Sequence, residues 1–257
     1  VNLHPAPSHI DPAHPGLAAA RAAVAQIGTL LFQRNLTDAA GGNVSLRVPG
    51  AGIGAGDADV LCMTPRYAGS HHFWALAPED VLVVSLDGQV LAGEGTISRE
   101  AKVHLRLHNT YGEAGKAVVH CHPRHVLVFA AMAMPIPPVL EATRKFGEIP
   151  VIPYAPSHSN ALAEHVAAGM AGKEALMRRQ AAAVIAPWHG LFVMGADLNL
   201  AFDAAERIDT NAHILLMGRQ LGADPTLSEQ RAAMEAAIAG FVDIGTPAQG
   251  AAALDGE

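Results

Sequence analysis

Residues 117–123 read Ala-Val-Val-His-Cys-His-Pro. The apolar run is a short strand. Pro123 ends it and leads into a helix. Side chains alternate along a strand, so His120 and His122 project from one face and Cys121 from the other. Two imidazoles on one face can chelate a metal ion. Cys121 points into apolar packing on the opposite face and is excluded as a ligand. The same spacing also fits two polar residues on a half-buried strand. His125 lies beyond the proline break and reads as a helix-start residue or a support for the ligands.

Working outward, residues 15–34 carry Leu17, Val24, Ile27, Leu30 and Leu31 at helical spacing, with Pro15 near the start. Gly41-Gly42-Asn43 is a turn signal ahead of a strand at 44–48, and 60–63 is a second strand closed by Thr64-Pro65. Residues 81–86 and 89–91 flank Asp87-Gly88, the signal of a hairpin with a type I′ turn. Ser98 is placed to cap a helix reaching about Thr110. Downstream, Pro135, Pro137 and Pro138 mark a loop, 150–154 is extended, and 160–171 is helical. Strands at 182–186 and 191–194 are joined by Pro187-Trp188-His189-Gly190. Asp197 or Asn199 caps a long helix to about Leu221, a short helix follows Ser228, and the tail from Gly245 reads as loose. Hairpins interleaved with helices, without regular βαβ alternation, predict a largely antiparallel or mixed sheet with helices packed on it. Nothing divides the chain, so residues 1–257 are expected to form one domain with its core at about 15–221 and a peripheral arm and tail.

Half of the 257 residues are hydrophobic and 16% are charged, which predicts a compact globule. The net charge of −7 and the lack of a basic run give no footprint for nucleic acid. Small anionic substrates stay compatible, because a few arginines suffice to hold one. Cys62 and Cys121 do not make a disulfide framework and suit a reducing compartment. Residues 1–15 show no signal-peptide pattern, and no apolar run approaches the ~20 residues that span a bilayer. A cytoplasmic protein without membrane or nucleic-acid partners is therefore expected. Among the 14 histidines, His4, His9 and His14 read as exposed in a Pro-rich arm, and His71 and His72 as loop residues.

A catalytic metal usually takes three protein ligands and keeps an open position. His189, in the tight turn before Gly190, is the best third candidate, although a plain turn histidine beside Trp188 fits equally well. Glu100 is the best acid/base candidate. It heads a helical stripe with Val103 and Leu107, where a carboxylate is unusual without a partner. A first-turn dipole partner would look the same.

Together these segments resemble the class II aldolase/adducin family, in particular its fuculose-phosphate and rhamnulose-phosphate aldolases. The resemblance is carried, in order, by Gly41-Gly42-Asn43-Val44-Ser45, Ser98-Arg99-Glu100, His120-Cys121-His122-Pro123, Pro150-Val151-Ile152-Pro153-Tyr154, and Trp188-His189-Gly190 followed by Ala204-Ala205-Glu206. It covers roughly residues 17–216. It implies an α/β fold, a three-layer αβα sandwich with a central, mainly antiparallel sheet, and a homotetramer with active sites between subunits. It implies that His120, His122 and His189 bind a divalent metal, zinc first, with manganese, cobalt, nickel or iron also compatible. Glu100 matches the catalytic carboxylate, and Asn43 matches a residue that binds the substrate's phosphate. The implied activity is a metal-dependent lyase performing aldol or retro-aldol chemistry on a hydroxy-carbonyl substrate through a metal-stabilised enediolate. A decarboxylase, epimerase or dehydratase of the same fold would share that ligand set. A non-catalytic adducin-like scaffold would be expected to lose the three histidines and Glu100, and this chain keeps all four. The chain departs from the pattern at Thr64-Pro65-Arg66-Tyr67 and Ser98-Arg99. There Arg66 and Arg99 replace small residues beside the anion site, and guanidinium groups favour a carboxylate or a differently placed phosphate. The tyrosine that a neighbouring subunit donates in the fuculose enzyme falls near Glu141 here.

Overall fold

The computed structural model describes residues 10–11, 13–50, 53, 58–224, 226 and 229–240. His4, His9 and the tail from Gly245 lie outside them. Seven strands form one sheet: β1 (Asn43–Val48), β2 (Val60–Met63), β3 (Leu82–Ser85), β4 (Val90–Ala92), β5 (Ala117–Cys121), β6 (Ala181–Ala186) and β7 (Gly190–Gly195). Their spatial order is β4-β3-β2-β1-β5-β7-β6. Every neighbouring pair is antiparallel, and among the described residues one parallel bridge joins Val151 to Ile185 of β6. The helices are α1 (Pro15–Gln33), α2 (Ala68–His72), α3 (Ala101–Tyr111), α4 (Arg124–Ala131), α5 (Asn160–Gly169), α6 (Glu174–Arg179), α7 (Leu198–Gln220) and α8 (Glu229–Gly240).

Period-2 alternation builds two apolar layers from one sheet. Val44, Val119, Cys121, Ala183, Ile185 and Val193 pack with α1, α4 and α7 on one side. Val118, Ala182, Val184, Phe192 and Met194 pack with α3 and α5 on the other. The result is the expected αβα arrangement, with β5 an interior strand flanked by β1 and β7 and both of its faces buried. The helix at residues 15–33 is long and apolar enough to cross a membrane, contrary to the sequence expectation. In the fold it is a core helix: Leu17, Val24, Ile27 and Leu31 are buried in the apolar layer it shares with the sheet.

Three local expectations are corrected. Only Gly88 has positive φ in the β3–β4 hairpin, so the turn is not type I′. The Gly88 N–H returns to the Ser85 carbonyl and the Ser85 N–H reaches the Gln89 carbonyl, a type I turn followed by a left-handed glycine bulge. Ser98 does not cap α3. Its hydroxyl accepts the Glu100 N–H at 3.2 Å, and the helix begins at Ala101 with Glu100 in the cap position. His71 and His72 belong to the short helix α2, between Tyr67 and Phe73 in left-handed backbone. His14 caps α1, its ring accepting the Gly16 N–H at 3.3 Å.

Candidate metal centre

β5 delivers its two histidines as the strand pattern requires. His120 is buried on the face opposite Cys121, and His122 follows directly beyond the strand. The β6–β7 hairpin sets His189 beside them. Trp188 takes positive φ in that turn and donates its N–H to the Ala130 carbonyl at 3.0 Å, pinning the turn against the end of α4. One ring nitrogen from each of His120, His122 and His189 lies within 4.8 Å of the others.

Hydrogen bonds fix which nitrogens face inward. His120 Nδ1 lies 3.0 Å from the Leu191 carbonyl, which can only accept. His122 Nδ1 lies 3.0 Å from Asp38 Oδ2. Burial pushes the Asp38 carboxyl up, but hydrogen bonds from the Ala40 and Gly41 N–H groups and from His122 outweigh it and hold the group below its ordinary value. In neutral rings both Nδ1 atoms are then the donors, and both Nε2 atoms carry the lone pairs. Those two Nε2 atoms stand 3.2 Å apart. Two facing lone pairs repel unless a cation lies between them, so the donor set fits a metal ion. A carboxylate or carbonyl behind each metal-binding imidazole is the usual support. Burial, and then the neighbouring His189 and His122, keep His120 well below its ordinary pKa. Burial, His122 and His158 bring His189 to about 4. Neutral rings are the ligating form. Two glycines make room: a Cβ on Gly41 would lie 2.1 Å from the His122 ring, and one on Gly190 would lie 2.7 Å from it.

Glu100 is 4% exposed, and its Oε1 is 3.9 Å from His189 Nε2. Oε1 accepts the backbone N–H of His158 at 3.1 Å. The His158 ring nitrogen is also 2.6 Å from Oε1, but off the line of a hydrogen bond. Oε2 is buried with no partner. His158 holds a positive φ of 67°, a strained state for a residue that is not glycine.

These groups line one cleft of about 260 Å³. Asn43, Arg66, Ser98 and Arg99 line it too, so all eight residues singled out from the sequence share one wall system. Asn43 donates to the Ser98 hydroxyl at 3.0 Å. Arg66 stacks its guanidinium 4.7 Å over the Tyr67 ring and leaves Nε buried without a partner. Arg99 is exposed at the rim. Asp38 and His158 belong to this site and carry no sequence signal: Asp38 is 84 positions from His122, and His158 lies in an irregular loop. His125 supports the neighbourhood from behind, its ring 2.8 Å from Asp209.

Comparison with known proteins agrees with this geometry. Residues 22–216 match the family described as Class II Aldolase and Adducin N-terminal domain. The chain is 26% identical over 210 residues to a 5-deoxy-D-ribulose 1-phosphate aldolase of Bacillus thuringiensis serovar kurstaki, covering 81% of this chain and 90% of that one. It is 28% identical over 206 residues to a 3-oxo-tetronate 4-phosphate decarboxylase of Pectobacterium atrosepticum, covering 77% and 84%. The structure of an L-fuculose-1-phosphate aldolase from Thermus thermophilus superposes with a TM-score of 0.63 at 27% identity, over 82% of this chain and all of that one. With that match spanning both flanks of the histidine cluster, the chain belongs to the class II aldolase and adducin N-terminal domain family.

Proposed function

We propose that this protein is a metal-dependent lyase that cleaves, or in reverse forms, a carbon–carbon bond in a hydroxy-carbonyl substrate bearing a phosphate or carboxylate, through an enediolate. The observation that carries the reading is the unpartnered Oε2 of buried Glu100 beside three convergent imidazoles. His120, His122 and His189 would hold the ion, zinc first on the strength of an all-imidazole donor set. When bound, such an ion supplies Lewis acidity toward the substrate's carbonyl oxygen and neighbouring hydroxyl. Glu100 handles the proton. The His158 N–H holds Oε1, so Oε2 is the oxygen free to exchange a proton with substrate. Oε2 takes the hydroxyl proton of the departing aldehyde as the carbon–carbon bond breaks, the bonding electron pair stays on the carbonyl fragment, and Oε2 returns that proton to the carbon left behind. Asn43, Ser98, Arg66 and Arg99 bind the anionic group. A homotetramer with sites between subunits, acting in the cytoplasm, completes the proposal. Exposed Tyr154 and Trp188, in edge contact at 5.5 Å next to His189, are aromatic surface that a neighbouring subunit would cover.

Decarboxylation of a 3-oxo acid phosphate is the second reading, favoured by the decarboxylase relative and by the added arginines. It leaves the same kind of electron pair on the carbonyl fragment. Offering a ketose 1-phosphate and a 3-oxo acid phosphate in parallel, and measuring aldehyde against carbon dioxide, separates the two. Elemental analysis tests the site itself. The purified chain is expected to carry about one ion, and His122→Ala to lose it. Full occupancy in that variant would remove the ligand set.

A further inference from the structure

A line of polar groups that the metal centre does not use runs from the cleft into the core between β1 and α3. Ser45, His104 and His108 in it are fully buried. His108 Nε2 is 2.8 Å from Ser45 Oγ, and Ser45 Oγ is 2.6 Å from His104 Nδ1. His104 Nε2 is hydrogen-bonded to Asn43 Oδ1, and Asn43 Nδ2 is 3.0 Å from Ser98 Oγ. The local pattern assembles it: Asn43 and Ser45 share a strand face, and His104 and His108 are one helical turn apart on α3.

With both rings neutral, such a line can be protonated in two senses. In one, His108 donates to Ser45, Ser45 to His104, His104 to the Asn43 carbonyl oxygen, and the Asn43 amide to Ser98. His108 Nδ1 is then a bare lone pair. In the other, the Asn43 amide is turned end for end so that its nitrogen faces His104, every bond reverses and His108 Nδ1 carries a hydrogen. That atom is buried without a partner. An orphaned buried N–H is rarer than an under-used acceptor. Arg47, which donates to the His108 carbonyl at 2.9 Å, also sets positive charge beside the ring and disfavours another N–H there. Burial holds both rings neutral, with His104 brought to about 3. The first sense therefore prevails. Ser98 Oγ also accepts the Glu100 N–H at 3.2 Å, so its own hydrogen is left to turn into the cleft.

We infer that Ser45, His104 and His108 are positioning residues that lock Asn43 with the amide N–H that Ser98 does not take, and Ser98 with its hydroxyl hydrogen, toward the cleft, making this end a donor-only seat for an anionic group. The inference rests on the anion-binding role proposed above for Asn43 and Ser98. It accounts for two histidines buried where apolar residues would pack.

The test is calorimetric titration of the metal-loaded full chain with inorganic phosphate, backed by nitrogen NMR of the histidine rings. Ser45→Ala and His104→Phe are expected to weaken phosphate by about tenfold or more, the loss of roughly one charge-assisted hydrogen bond, with metal content unchanged. Ser45→Thr and His104→Gln keep the donors and are expected to restore binding to within about threefold, below the ~1.4 kcal/mol that a tenfold change represents. A purely structural role would lower the melting temperature and leave the phosphate affinity alone. Wild-type affinity in folded Ser45→Ala and His104→Phe overturns the inference while leaving the anion site standing. No phosphate binding by the wild type, or by any variant, overturns both. If the variants do not fold, the wild-type rings decide: protons on Nε2 of both His104 and His108 support the lock, and protons on Nδ1 sink it.

Discussion

The proposed role of Glu100 rests on unequal treatment of its two oxygens. Oε1 is held by the His158 N–H, and Oε2 is buried and free. Glu100→Gln is nearly isosteric, so fold and metal content should persist while turnover falls by about 10²–10⁴. Near-normal turnover in a metal-replete variant would reduce Glu100 to a helix-end carboxylate. His122 depends on backbone that gives way to it. A methyl on Gly41 would sit 2.1 Å from the ring, so Gly41→Ala should push the imidazole off the cluster. Metal affinity should drop by about 10–100-fold, the cost typical of disturbing a ligand's support. Unchanged affinity by competition with a chromogenic chelator would show that the ring has room to move. At this scale the sequence displayed the paired histidines and the carboxylate that the fold brings to one cleft, because alternation on a strand and a carboxylate on an apolar stripe are local patterns. Asp38 and His158 were not legible, since each meets its partner only through the fold.

The elements hold the site by their ends more than by their lengths. α4 starts two residues after His122, and its first turn rests on Asp209 of α7. Asp209 accepts the His125 and Val126 N–H groups at 2.9 and 3.1 Å and faces the His125 ring at 2.8 Å. Asp209→Ala should therefore cost about 1–3 kcal/mol, as loss of a buried cap with several bonds. Asp209→Asn should recover part of it. Chemical denaturation of both variants measures this, and a wild-type midpoint for the alanine variant would dismiss the cap. Long periodic helices such as α1 and α7 were readable because their burial repeats, and β5 because its apolar run stops at Pro123. The Ser98 cap failed because the hydroxyl turns to the Glu100 N–H and to Asn43 instead. The Asp87-Gly88 signal gave the hairpin correctly but the turn type wrongly, because one left-handed residue suffices when a bulge absorbs the twist.

Over the whole molecule, two layers of helices on an antiparallel sheet bury polar groups that have consequences for stability. Burial depresses His104 from 6.5 to about 3, and His108 also lies well below its ordinary value. An unfolded chain takes up those protons as pH falls through 6.5, while the folded one resists. Stability is then complete above about pH 6.5 and declines below it, by up to ~1.4 kcal/mol per pH unit for each such group. Denaturant midpoints at pH 7.5 and 5.0 should differ in that direction, and equal midpoints would mean the rings are not buried neutral. Light scattering at micromolar concentration should find a tetramer, and a monomer would count against sites built between subunits. The sheet order and the assembly could not be read from spacing, because both depend on contacts between distant segments. The central claim is that carbon–carbon cleavage in this cleft requires a metal held by three histidines. It is tested most directly by following release of dihydroxyacetone phosphate from a ketose 1-phosphate before chelation, after it, and after return of zinc. Cleavage that vanishes on chelation and returns with the ion is the predicted result; cleavage undiminished in metal-free protein would contradict the account.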